Sequence, residues 1–172
     1  MISPFDDELG RRAEAVLDAA RARGKMLVTA ESCTGGLVAA VLTAIAGSSD
    51  AVEGGFITYS NDAKVRLGVP SFVIEQHGAV SEETARAMAE AACAAAYRPG
   101  ITVAAVSITG VAGPGGGSAS KPVGLVHFGA SDGTLTLHRA MKFGDIGRGA
   151  VRLASVDTAL ALLLSLLSDP RP

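Results

Sequence analysis

A chain of 172 residues with a formal net charge of -2 and 48% hydrophobic residues, chiefly Ala, Val and Leu, can bury about two-thirds of the surface its unfolded form exposes. That excludes a disordered chain and a disulfide framework, and the absence of Trp, of a basic stripe and of an aromatic ladder excludes nucleic acid as the principal ligand. The two cysteines, Cys33 and Cys93, fit a reducing, cytoplasmic compartment. The charged start MISPFDDELGRR lacks a signal core, and the Ala-rich and Leu-rich segments read as too short or too interrupted to span a bilayer.

From Asp6 to Arg23, Leu9, Ala13, Val16, Leu17 and Ala20 recur at helical spacing, and Gly24 ends the helix. A short strand, MLVTA, follows. GGLVAAVLTAIAG reads as a buried helix closed by Gly47, VEGGFITYS as a strand, and NDAKVRLG as a short helix capped by Asn61. Ser81 caps a long Ala-rich helix running to about Tyr97, with Glu82 and Glu83 in its first turn. ITVAAVSITG is the near-continuous apolar run of an interior strand. PVGLVHFGA and TLTLHRAMKF form a hairpin through Asp132-Gly133, and the last helix spans about Gly147 to Leu167. The alternation of helices with buried strands, without a repeat or linker, predicts one domain over 1–172, a three-layer α/β/α sandwich around a mixed sheet.

Chemistry concentrates where strands hand over to helices or loops, the place where open α/β sheets bind ligands. In TAESCTGG, Ser32, Cys33 and Thr34 fall at the start of a helix, where free N–H groups favour an anion or oxyanion, and Gly35 and Gly36 admit close approach to the backbone. Thr34 capping that helix is the plainer account of the same residues. Neither GxxxxGK[ST], GxGxxG nor GxSxG is present, which removes a P-loop and a hydrolase nucleophile elbow. In YSNDAK, Tyr59 lies near a strand end and Lys64 at the third position of the next helix, where the dipole and burial both lower a lysine toward general-base range; a solvated surface lysine is the alternative. After Ser107 and Thr109, a loop with Gly110, Gly113, Gly115, Gly116 and Gly117 suits a phosphate cradle, a mobile lid or a flexible connection.

His127 and His138 read as structural residues in strands, His77 lies in a connection, and no spacing fits a metal, so no metal or cofactor is expected. Without a persuasive histidine, Ser32 with neutral Lys64 is the better nucleophile pair, and Cys33 is the rival nucleophile. Glu31 is a candidate for orienting Lys64 or a substrate amide. Arg148 and Arg152 share a helix face; Arg148 is a candidate anion ligand, and Arg152 reads as solvent-exposed.

Taken together, AESCTGG, GSS, YSNDAK, HGAVS, SITGVAGPGGG and KPVG resemble, in order and over nearly the whole chain, the C-terminal domain of the CinA family. Stand-alone members of that family are nicotinamide mononucleotide (NMN) amidohydrolases. The resemblance implies a three-layer fold, a homodimer, and hydrolysis of the NMN carboxamide to nicotinate mononucleotide and ammonia without metal. By motif it implies Ser32 as nucleophile, Lys64 as base, and Tyr59 and Thr109 as supporting hydroxyls. Thr34, Gly35, Gly36, Asn61, Gly110, Gly113, Gly116, Gly117 and Arg148 are the expected substrate contacts. The family's common GDR followed closely by VR is here GDIGRGAVR, two residues longer, and Arg148 is the matched arginine. The molybdopterin-cofactor-like domain of full-length members, with its nucleotide pyrophosphatase activity, is not expected in this chain. Two other readings stay open: a non-catalytic nucleotide-binding module serving competence or DNA-damage responses, and a cysteine amidase using Cys33.

Overall fold

The computed structural model describes residues 6–169; the first residues of the charged N-terminal stretch lie outside them. The chain runs α1 (Asp7–Ala22), β1 (Lys25–Glu31), α2 (Leu37–Thr43), a 3-10 turn (Ser48–Asp50), β2 (Val52–Ile57), α3 (Asn61–Leu67), α4 (Ser71–His77), α5 (Glu82–Ala96), β3 (Thr102–Gly110), β4 (Leu125–Ser131), β5 (Thr136–Lys142) and α6 (Arg148–Leu167). The sheet order is β2-β1-β3-β4-β5, with β1 parallel to β2 and β3, and β4 antiparallel to both of its neighbours. The sheet is therefore mixed, as expected.

Period-2 alternation in the interior strands builds the three layers. In β3, Ala104, Val106 and Ile108 join the core beneath α1, α2 and α6, while Val103 and Ala105 join the one beneath α3, α4 and α5. In β1, Leu27 faces the first core and Val28 and Ala30 the second. Strands buried on both faces cannot alternate apolar with polar, which is why ITVAAVSITG reads as a continuous run. Helix α5 sits so close to β4 that a Cβ at Gly129 would fall 2.5 Å from the Ala85 carbonyl oxygen, so only glycine fits.

Three expectations change. α4 was not anticipated: SFVIEQH, following Pro70, buries only Ile74, too little for a legible helical stripe. Helix α2 is shorter than GGLVAAVLTAIAG suggests, because Gly35 and Gly36 take left-handed φ values of 60° and 98° and delay its start. Finally, α6 is by length and composition apolar enough to cross a membrane, contrary to the reading that no segment is. Here its Val151, Val156, Leu160 and Leu163 pack into the core shared with β3, β4 and α1.

Candidate active site

The carboxyl ends of β1, β2 and β3 release three loops side by side. The Ser32 amide donates to the Ile108 carbonyl at 2.9 Å, and the Thr58 amide to the Glu31 carbonyl at 2.8 Å, so the sheet's own ladder carries the first loop residues into register. Helix α3 then turns back over this edge. Its N-cap is Ser60, whose hydroxyl accepts from the Ala63 amide at 3.0 Å. This corrects Asn61, which is instead the first helical residue because Ser60 holds the extended backbone that a cap requires.

The correction moves Lys64 from the third to the fourth helical position, and its side chain points inward. Lys64 is 1% exposed. Its Nζ donates to Ser32 Oγ at 3.0 Å, to the Thr58 carbonyl at 2.7 Å and, at the limit of hydrogen bonding, to the Tyr59 carbonyl at 3.5 Å. Among the described residues it forms no ion pair. Burial therefore pushes the amine below its ordinary range, because the loss of hydration outweighs the smaller opposing influence of the neighbouring Cys33. Ser32 is itself 8% exposed.

Cys33 points the other way, into the core with Leu27 and Val38. Burial pushes its thiol up to about 11, the opposite of an activated thiolate. Geometry thus favours the serine of the adjacent pair.

Glu31 does not orient Lys64. It is fully buried, and its carboxylate accepts from the amides of Gly36 at 2.9 Å, Val38 at 3.1 Å and Ala39 at 2.9 Å. Those are the unpaired N–H groups at the start of α2, and a negative group there complements the helix dipole. Thr34 consequently does not cap α2: its hydroxyl is buried without a partner among the described residues. The Gly35 amide is engaged by the Ser32 carbonyl at 3.1 Å. Of the amides expected to meet an anion or oxyanion, that of Gly36 is therefore taken by the protein's own carboxylate and that of Gly35 by the turn itself.

Tyr59 is 62% exposed, and its hydroxyl accepts from Arg148 Nη2 at 3.2 Å. Arg148 Nη1 donates to the Gly113 carbonyl at 2.9 Å, linking the second loop to the third. Thr109 donates to the Ala79 carbonyl at 2.6 Å. Neither hydroxyl reaches Ser32 or Lys64, although the Tyr59 main chain does. In the glycine loop, Gly110 and Gly117 are tightly packed against 122–126, and Gly113 and Gly116 have positive φ. The loop lies along its own return strand, with the Val111 amide bonded to the Leu125 carbonyl.

Arg152 was read as solvent-exposed and is not. It is half-buried, and its Nη2 donates to the Thr34 carbonyl at 2.8 Å. His127 Nδ1 and His138 Nε2 lie 3.1 Å apart, with His138 Nδ1 3.4 Å from Glu82, so the two imidazoles partner each other rather than the serine.

Residues 10–167 match the CinA C-terminal domain. The chain belongs to this family. Among its relatives, a CinA-like protein from Synechococcus is 49% identical over 160 residues, covering 92% of this chain and 37% of that protein. This CinA-domain chain thus spans well under half of the longer relatives, including one from Parasynechococcus marenigrum of which it covers 41%. By contrast, it covers 94% of the Escherichia coli nicotinamide-nucleotide amidohydrolase PncC, at 48% identity over 161 residues and 92% of its own length. The crystal structure of the competence/damage inducible protein CihA from Agrobacterium tumefaciens superposes with a TM-score of 0.89 at 48% identity, covering 96% of this chain and 99% of that one.

Proposed function

We propose that this CinA-domain chain hydrolyses the carboxamide of NMN to nicotinate mononucleotide and ammonia, in pyridine nucleotide salvage, with Ser32 as nucleophile and Lys64 as base. One observation carries the chemistry: a buried amine with no counter-ion among the described residues, 3.0 Å from a serine hydroxyl. The match to the amidohydrolase over 94% of that protein supports the substrate.

A neutral amine has two N–H bonds and one lone pair. In the neutral form of Lys64 the two N–H groups stay with the carbonyls of Thr58 and Tyr59, the contact with Ser32 Oγ reverses its direction, and the lone pair receives the Ser32 hydroxyl proton. Ser32 Oγ then bonds to the carboxamide carbon as Lys64 takes that proton. Collapse of the tetrahedral adduct breaks the C–N bond, and the Lys64 proton leaves with the departing ammonia. Lys64 next takes a proton from a water whose oxygen bonds to the acyl carbon; the bond to Ser32 Oγ then breaks, Lys64 returns the proton to that Oγ, and the nicotinate product leaves. Arg148, between Tyr59 and Gly113, is the cation proposed to meet the ribose phosphate, because the start of α2 already holds Glu31. The homodimer is part of the same proposal and is read by light scattering of the eluted protein.

Ammonia release from NMN by wild type and by Ser32→Ala tests the reading. A fall of at least about 10⁴-fold is expected, with NMN binding retained. Undiminished turnover in Ser32→Ala would remove serine from the mechanism. Tight NMN binding by the wild type without ammonia at any pH would instead mark the chain as a nucleotide-binding module.

A further inference from the structure

We propose that Glu31 and Arg152 are positioning residues that clamp the turn carrying Ser32, a reading that rests on Ser32 being the nucleophile. The turn from Ser32 to Gly36 has little to hold it by sequence: it contains two glycines, both at positive φ, and no side-chain cap at Gly36. A free chain of this kind samples many conformations. Here its peptide groups are gripped from both polarities. Glu31 takes the amides on the α2 side, and Arg152 takes the Thr34 carbonyl from α6. The Arg152 Nη2 is also the nearest atom to a Cβ built at Gly35, at 3.5 Å, so the guanidinium lies directly against the turn. Between them, the two side chains hold the middle and the α2 end of the segment whose other end the Ile108 carbonyl fixes, and so set where Ser32 Oγ lies relative to Lys64 Nζ.

Arg152 is not placed as a stabilising residue would be. Its Nε is buried without an acceptor among the described residues, and it makes no ion pair there. A half-buried guanidinium with one carbonyl partner and an orphan N–H costs the fold desolvation that an apolar side chain of similar size avoids. Loss of Arg152 should therefore separate activity from stability, whereas loss of the Glu31 cap should lower both.

Ammonia release from NMN is measured for Arg152→Met, Arg152→Lys, Glu31→Gln and the double variant, beside Ser32→Ala, with Tm by circular dichroism. Arg152→Met is expected to lower kcat at least about tenfold, toward the hundredfold that roughly 1 Å of misplacement produces, with KM within about twofold and Tm unchanged or higher. Arg152→Lys recovers part of the loss. The acid limb of the pH profile stays in place while its plateau falls, and the double variant loses less than the product of the single losses. The clamp is overturned if Arg152→Met keeps kcat within about twofold, if KM carries the loss, or if the acid limb moves, which would make Arg152 an electrostatic modulator of Lys64. Should Glu31→Gln fail to fold, amide hydrogen exchange of the wild type decides: Val38 and Ala39, whose N–H groups have Glu31 as acceptor, must be protected, and exchange at free-peptide rates overturns the clamp. Wild type that releases no ammonia counts against the amidohydrolase reading alone, and the exchange measurement still judges the clamp.

Discussion

Lys64 and Lys25 lie at opposite ends of β1 and meet opposite surroundings. Lys25 Nζ forms an ion pair with Asp132 at 3.0 Å, and Asp132 is further held by the amides of Thr134 and Leu135. Burial alone would raise that carboxyl, yet the Leu135 amide, Lys25 and Thr134 together hold it well below the carboxylate range. Lys64 is more deeply buried and, among the described residues, meets only a hydroxyl and two carbonyls. The paired lysine stabilises the fold in its charged form. The unpaired one is tolerated most easily when neutral, and a neutral amine beside an alcohol is a base next to its proton donor.

Exchanging each lysine for methionine gives the widest separation between the two ends. Lys64→Met should abolish ammonia release by about 10³-fold or more while leaving stability unchanged or raised, because it removes an amine that the core hydrates poorly. Lys25→Met should leave kcat within about twofold and lower stability by about 1–3 kcal/mol through the abandoned Asp132, a fall of several degrees in Tm. Urea titration and initial rates on both variants measure this. If both lose stability and neither loses activity, the contrast between the ends has no functional meaning.

The pH dependence sharpens the same contrast. Lys64 has a folded value below its ordinary 10.5, so between the two the unfolded chain binds more protons and stability rises with pH across that window. The rate should rise with it, as an acid limb falling below 10.5 that disappears in Lys64→Met. Asp132 runs the other way: its contribution is fully present above its ordinary 3.8 and is lost as pH falls toward its depressed folded value. Wild-type and Lys25→Met melting curves should therefore converge in strong acid, and convergence near neutral pH instead would contradict the assignment.

Much of the site was legible because the chemistry sits at strand ends. ESCTGG and YSNDAK each follow an apolar strand, and a sheet with parallel β1 and β2 brings their ends together, so Ser32 and Lys64 meet although 32 residues apart. Burial of Lys64 was not legible, since a short helix with one lysine reads equally well turned outward. Glu31 was misjudged for a related reason. Its carboxylate reaches α2 only because Gly35 and Gly36 fold the chain back with positive φ, a three-dimensional event. A signal was nevertheless present: an acid shortly before a glycine pair, followed by a helix with no Ser, Thr, Asp or Asn at its N-cap. Arg152, one turn after Arg148 and on the same face, was assigned to solvent as the simpler account, whereas the β1 loop folds over that turn of α6.

Cys33 offers a smaller effect. With its thiol raised to about 11 and packed in the core, Cys33→Ala should retain activity within about threefold, and iodoacetamide should not stop turnover. Rapid inactivation by alkylation, together with an active Ser32→Ala, would exchange the roles of the two neighbours.

The smallest expected change is Tyr59→Phe. The Tyr59 carbonyl reaches Lys64 at 3.5 Å whatever the side chain, while the hydroxyl points to Arg148 at 3.2 Å on an exposed surface. Removing the hydroxyl leaves the Lys64 partners intact and frees one donor of an arginine proposed to meet the substrate phosphate. KM should therefore change by a few fold, kcat should hold, and stability should stay within about 0.5 kcal/mol, as for most surface changes. A tenfold fall in kcat with constant KM would mean that substrate draws the Tyr59 hydroxyl away from Arg148 to the reacting atoms, restoring the supporting role that the motif alone implies.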